Sequence, residues 1–179
     1  ELSPDWIVEF LGNRPQLDFF ITGAGESNFA TFIDLLSAHG GVAKDIPLDL
    51  LPSSFYSFDH ETGTVRRNLS VPEQKAPLDQ VPSPYLTGLL DEFLDDHRLS
   101  AIIETNRGCP YSCTFCSWGA ATKSKIFQFP LDQVYEEIEY IAKRTKDTRG
   151  QLYIADANFG MIKRDFGISK FLRQCSDEL

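Results

Sequence analysis

Methionine is nearly absent: the one at Met161 is the only one in 179 residues. The chain therefore does not open on an initiator. It begins directly in a helix-like run, Trp6 to Leu11, and reads as an internal piece of a longer polypeptide, processing being the alternative. Positive charge is also scarce. Seventeen Lys and Arg face twenty-six Asp and Glu, for a net charge of −9, which excludes a general binder of nucleic acid or anionic membrane. No apolar run approaches the roughly 18 residues of a membrane span, and the N-terminus lacks the basic-then-apolar pattern of a signal peptide. The expectation is a cytoplasmic protein. Histidine occurs three times: His39 precedes Gly40-Gly41 as a favourable partner of a helix C-terminus, and His60 and His97 lie in polar surroundings with no sign of a ligand role. Cysteine occurs four times, and three of the four crowd into eight positions. That is poor disulfide geometry, so a reducing compartment and a metal role are expected.

What is present is ordinary for a globular protein, 42% hydrophobic and 24% charged, in a length that suits one domain or two incomplete ones. Trp6-Ile7-Val8-Glu9-Phe10-Leu11 reads as the end of a helix stopped by Gly12-Asn13 and Pro15. Leu17 to Ile21 is an apolar run consistent with a buried parallel strand. Thr22-Gly23-Ala24-Gly25-Glu26-Ser27 then turns into a helix with Phe29, Phe32, Ile33, Leu35 and Leu36 at helical spacing, closed by Gly40-Gly41. A glycine turn between strand and helix can receive a phosphate or the polar edge of a nucleotide. It can equally exist for steric reasons alone.

Phe55 to Phe58 and Thr64 to Arg67 flank Asp59-His60-Glu61-Thr62-Gly63 and read as a hairpin. From Val71 to Pro84 four prolines mark an extended linker. Leu86 to His97 then reads as a helix, with Leu86, Leu89, Leu90, Phe93 and Leu94 on one face and a solvated acidic face opposite.

Leu99 to Thr105 reads as a short strand that delivers Glu104-Thr-Asn-Arg-Gly-Cys-Pro-Tyr-Ser-Cys-Thr-Phe-Cys116. This places Cys109, Cys113 and Cys116 in a CxxxCxxC pattern. Thiolates so close together can wrap one metal centre. A structural zinc would want a fourth ligand, and Cys175 lies far off, following Ile168, Phe171 and Leu172 at helical spacing as a small core residue. A ferredoxin-like carrier would order its gaps differently. A redox CxxC of Cys113 and Cys116 leaves Cys109 unexplained. Three thiolates on a four-iron cluster would leave one iron open, and an open position is what separates a reactive metal centre from a structural one.

Beyond the loop come Ser117-Trp118-Gly119 and the lysine-bearing Thr122-Lys123-Ser124-Lys125. Pro130 starts a helix whose buried stripe is Leu131, Val134, Ile138 and Ile141, with Glu136, Glu137, Glu139 and Lys143 toward water. Gly150 closes a turn. Leu152 to Ala155 is a second strand ending in Asp156-Ala157-Asn158-Phe159-Gly160, and a further helix starts near Asp165. Strand–helix–strand–helix with polar residues at the strand ends is the beginning of a (β/α) barrel. The polar strand end reads either as functional or as an Asx-type turn.

The cysteine spacing, Phe115 before the last cysteine and the preceding strand resemble the cluster loop of radical S-adenosylmethionine enzymes. The turn at Gly23, Gly25 and Glu26, with Ala24 where glutamate is frequent, resembles that of the cobalamin-binding members. So do the hairpin and Leu78-Asp79-Gln80-Val81-Pro82-Ser83-Pro84-Tyr85. The Asp-x-His-x-x-Gly cobalamin-ligand motif is missing here, as in many of them. The resemblance implies an α/β fold: the C-terminal part of a doubly wound cobalamin-binding domain (1–41), a hairpin, Pro-rich connector and lead-in helix (42–98), and the first β/α units of a partial (β/α) barrel (99–179). It implies a 4Fe-4S cluster on Cys109, Cys113 and Cys116, and S-adenosylmethionine cleaved reductively to a 5′-deoxyadenosyl radical. Phe115, Asp156 and Asn158 are implied near S-adenosylmethionine, the last two facing its amino group, although the family's usual glutamate motif is absent. Gly23, Gly25 and Glu26 are implied at cobalamin, with methyl transfer to an unreactive centre as the activity. Partners would be a reductant such as flavodoxin or ferredoxin and a small-molecule or peptide substrate that the sequence does not identify. Isolated activity of this piece is not expected. The alternative is a non-catalytic iron–sulfur or zinc-binding module.

Overall fold

The computed structural model describes residues 4–17, 19–70, 77–116, 125–145 and 151–178. The expectations placed on Ser117-Trp118-Gly119, Thr122-Lys123-Ser124 and Gly150, and residues 71–76 of the proline-bearing linker, lie outside the described residues. The chain divides into two compact units, Glu1–Pro77 and Leu78–Leu179.

In the first unit, helix α1 (Pro4–Gly12) buries Ile7 and Leu11, four residues apart on one face. Strand β1 (Phe19–Ile21) leads through the glycine turn into α2 (Glu26–Ala38). Two short 3-10 turns then bring the chain back to β2 (Phe55–Asp59) and β3 (Thr64–Arg66). The sheet order is β1-β2-β3, antiparallel throughout. This corrects the parallel strand expected at 17–21. The turns after α2 return the chain alongside β1 in the opposite sense, and the cross-strand pairs Phe20–Tyr56 and Ile21–Phe55 hold the register. The core is Ile46, Leu51 and Phe55, packed by Phe19, Phe32 and Leu36.

Two local expectations hold. Asp59 closes the hairpin turn by accepting hydrogen bonds from the Thr62 and Glu61 amides, 3.2 and 2.9 Å, which lower its pKa below the usual value. At the C-terminus of α2, His39 Nδ1 lies 2.8 Å from the Leu35 carbonyl oxygen, and Gly40 and Gly41 follow with positive φ.

In the second unit, α3 (Asp91–Leu94) is a single turn, shorter than the helix expected over 86–97. Gly88 adopts φ +75° and interrupts the preceding turn, so the expected apolar face is split. Leu94 is buried, whereas Leu89 is 72% exposed. Strands β4 (Ala101–Ile103) and, later, β7 (Leu152–Ile154) are parallel neighbours, Ala101 opposite Leu152 and Ile103 opposite Ile154. Between them lie β5 (Asn106–Arg107), β6 (Phe127–Gln128) and helix α4 (Leu131–Thr145). Helix α5 (Lys163–Glu178) follows β7. Val134, Ile138 and Ile141 of α4 and Ile168 and Cys175 of α5 bury against Ala101 and Ile103. Glu137, expected in water, is 8% exposed, with Gln133 Nε2 donating to its Oε1 at 3.3 Å.

One face of the β4–β7 pair is therefore sealed by helices, while Ile102 and Tyr153, opposite one another, remain 58% and 54% exposed. The outer edge of β4 is treated differently. Ala101 and Ile103 bond toward β7, so the polar groups of Ile102 point the other way, and the Tyr85 hydroxyl meets both. It accepts from Ile102 N at 3.0 Å and donates to Ile102 O at 2.7 Å, plugging an edge that another strand could otherwise pair. Tyr85→Phe is expected to destabilise the protein by about 1–3 kcal/mol by stranding those two groups. Burial raises the Tyr85 pKa, so the folded state favours the protonated phenol. That contribution is complete below pH 10 and is lost as pH rises above it. Denaturant melts from pH 8 to 11 should show a shallower alkaline decline in the Phe variant.

Candidate metal centre

The cysteine loop follows the carboxyl end of β4, the parallel neighbour of β7. Just past β4 the chain forms a narrow neck, in which Asn106 and Arg107 of β5 pair with Gln128 and Phe127 of β6. Phe129 N also donates to Thr105 O at 3.1 Å. Residues 108–116 and 125–126 continue from the two strands of this neck. Gly108 is required there by its backbone and its surroundings. Its φ is +108°, and a Cβ at this position would fall on the Lys125 carbonyl oxygen.

Both strands of the neck are gripped by the segment that follows β7. The last ladder bond, Ala155 N to Ile103 O at 2.8 Å, puts Asp156 beside Thr105 and Asn106. Its Oδ1 accepts from Thr105 N (2.7 Å) and Asn106 N (3.1 Å), and its Oδ2 accepts from Asn106 Nδ2 (2.7 Å) and the Thr105 hydroxyl. A carboxylate has about four lone-pair sites, and all are engaged. Thr105 and Asn106 are themselves buried, so loss of the acceptor would strand donors at about 1–3 kcal/mol each. On the other strand, Arg164 Nη1 donates to Phe129 O at 2.8 Å and Gln128 Oε1 at 3.2 Å. Arg107 is paired with Glu104 at 2.7 Å and lies over the Phe129 ring, 5.7 Å from its centroid.

The three loop cysteines differ in setting. Cys109, next to the neck, is buried; Cys113 is exposed and Cys116 half-buried, with Cys116 N donating to Cys113 O at 3.1 Å. Phe115 between them is 91% exposed. Among the described residues, no group of three or more His, Cys, Asp and Glu side chains stands ready to hold a metal ion. The donor set nevertheless fits an iron–sulfur cluster in kind and number: three thiols on one short loop, none in a disulfide. A metal site need not be preformed, since the metal–ligand bonds themselves gather the loop. Cys175 belongs to the core of the second unit, away from this loop in kind.

The other expected site residues are placed as follows. Asn158 sits in the turn after β7, its amide nitrogen buried and, among the described residues, without a hydrogen-bond partner. Gly23 takes φ +79° in the turn after β1, Gly25 is the N-cap of α2, and Glu26 is the acid in its first turn. They lie in the first unit, and the cysteines lie in the second. The sequence pattern assigns no role to Thr105, Asn106 and Arg164, although the first two lie inside the stretch from Glu104 to Cys116. It also passes over the capping role of Asp165. Fully buried, Asp165 accepts from Gly160 N at 2.8 Å and Ile162 N at 3.1 Å, fixing the start of α5. An acid in the first helical turn is the signal that could have found it.

No family model matches the chain. It is 42% identical over 107 residues to the cobalamin-dependent radical SAM methyltransferase TokK of Streptomyces tokunonensis, covering 57% of this chain and 15% of that protein. The chain resembles a stretch of the cobalamin-dependent radical S-adenosylmethionine enzymes. It is also 35% identical over 176 residues to the 2-(S-pantetheinyl)-carbapenam-3-carboxylate methyltransferase of Streptantibioticus cattleyicolor, covering 94% of this chain and 24% of that one. In structure it is similar to the cobalamin-dependent S-adenosylmethionine radical enzyme OxsB, with a TM-score of 0.62 at 24% identity over 99% of this chain and 23% of OxsB. The chain thus spans about a quarter of the length of the carbapenam methyltransferase and of OxsB, and its mixed α/β fold is similar to that of OxsB.

Proposed function

We propose that the chain is part of a cobalamin-dependent radical S-adenosylmethionine methyltransferase, in which Cys109, Cys113 and Cys116 hold a 4Fe-4S cluster. The observation that carries this reading is the position of the three thiols. They share one loop that follows the carboxyl end of a parallel strand, in a chain similar to a named enzyme of that kind. When bound, the cluster supplies the electron that breaks a carbon–sulfur bond of S-adenosylmethionine. The chain's own residues bind and orient. Asn158 has a buried amide donor that meets no partner among the described residues, suited to a polar group of the ligand. Asp156 would have to release one of its four bonds to meet an ammonium. Phe115 offers an exposed ring beside two thiols.

On the same reading, residues 99–179 begin a partial (β/α) barrel, and the exposed face of Ile102 and Tyr153 suits its inner wall. Residues 1–41 end a cobalamin-binding domain, with Gly23, Gly25 and Glu26 at its ligand edge. The antiparallel hairpin within 42–98 then extends that sheet, as antiparallel edges commonly do in doubly wound folds. The partners are a flavodoxin- or ferredoxin-type reductant and a small-molecule or peptide substrate, and the location is the cytoplasm. Among the described residues no helix is long and apolar enough to cross a membrane.

Anaerobic reconstitution with iron and sulfide tests the reading. About four of each per chain are expected, with an electron-paramagnetic signal in the reduced protein that changes on adding S-adenosylmethionine. Stoichiometric zinc with no such signal would instead favour a non-catalytic metal-binding module.

A further inference from the structure

We infer that Asp156 is a positioning residue for the cysteine loop, holding Cys109 as the fixed ligand onto which Cys113 and Cys116 close. The inference rests on the cluster reading above, but its observations are independent of it. A carboxylate at the end of β7 receives four hydrogen bonds from Thr105 and Asn106, about fifty residues away in sequence. Those two residues form the approach to the loop, and Cys109 stands three positions beyond Asn106. All four bonds involve donors that are otherwise cut off from water, since Thr105 is 0% and Asn106 3% exposed. A charged acceptor shared by two adjacent residues fixes both the position and the direction in which the chain leaves β4.

The exposure of the cysteines follows this grip. Cys109, next to the clasp, is buried, whereas Cys113, four positions on, is exposed. One ligand is thereby held relative to the strand ends, and the other two lie on the outer part of the loop. The opposite strand of the neck is held separately by Arg164, so release of the Asp156 clasp alone frees the first strand without opening the second. Asparagine at 156 keeps the shape but replaces one acceptor oxygen with a donor, which then confronts the donors of Thr105 and Asn106.

The test uses cluster-free protein, so that it reads the clasp and not the cluster. Iodoacetamide labelling is followed cysteine by cysteine by mass spectrometry. In the wild type Cys113 should label fast, with Cys109 and Cys175 slow. In Asp156→Asn the labelling rate of Cys109 is expected to rise about tenfold, with Cys175 changed by less than about twofold. Thr105→Val, which removes a single bond of the clasp, should shift Cys109 in the same direction by less. After anaerobic loading, Asp156→Asn should hold less than about half the wild-type iron, and its electron-paramagnetic spectrum should be broadened. Unchanged labelling of Cys109 in both variants would overturn the inference. So would equal acceleration of Cys109 and Cys175 in both, which would make the carboxylate a support of the whole unit. If the wild type bound zinc alone, the cluster reading would fall, while the labelling pattern would still decide the clasp.

Discussion

Cys113→Ala is expected to leave the protein folded and remove its iron and sulfide almost entirely, while Cys175→Ala keeps both. The contrast follows from where the two side chains sit. Cys113 is exposed on the loop, so its truncation costs little stability. As one of three thiols for a four-iron cluster, it leaves two ligands when removed, too few to hold the group. Cys175 is buried beside Ile138 and Ile168 in the core of the second unit. Its truncation removes one sulfur from packed surroundings, at about 1 kcal/mol. Iron and sulfide assays after anaerobic reconstitution, with thermal melts of both variants, check this. Equal loss of iron from both would mean that the ligand set is wrong.

Gly108→Ala is the second large effect, and its cause is steric. Two costs coincide at this position. A φ of +108° lies in the region that favours glycine, worth about 1–3 kcal/mol for a residue with a side chain. The added methyl would also overlap the Lys125 carbonyl across the neck, and such overpacking costs about 1–3 kcal/mol more. The backbone oxygen cannot swing away as a flexible side chain could, so the neck must part. The expected outcome is a loss of about 3 kcal/mol or more in denaturant stability, together with rapid labelling of Cys109. A control substitution at Gly63, which also has positive φ but no atom within 4 Å of the added methyl, should cost only the backbone share.

The parts of the fold that the sequence announced are those governed by local rules. The stripe Val134, Ile138 and Ile141 repeats at helical spacing and is buried as that spacing requires. His39 with Gly40-Gly41 ends α2 because those glycines take left-handed conformations without strain. The readings that failed depended on pairing or on a competing local break. The run at 17–21 carries no mark of whether its neighbour is parallel, and the chain's return through residues 43–50 made it antiparallel to β2. The helix expected over 86–97 was shortened because Gly88 outweighed the apolar periodicity around it. Glu137 is charged and was assigned to water, but it lies on the buried side of α4 with Gln133 as partner.

The loop of Cys109, Cys113 and Cys116 shows the same division. Spacing alone determined that three soft ligands can meet one metal group, since eight residues of chain cannot take them far apart. What held the loop was not in the motif. Asp156 reads in the sequence as a polar residue at a strand end, suited equally to ligand or turn. Only the parallel pairing of β4 with β7 set it against Thr105 and Asn106, because a contact between residues fifty positions apart depends on which strands lie side by side. Local spacing brought the three cysteines onto one loop, and strand pairing set Asp156 against the residues that lead into it.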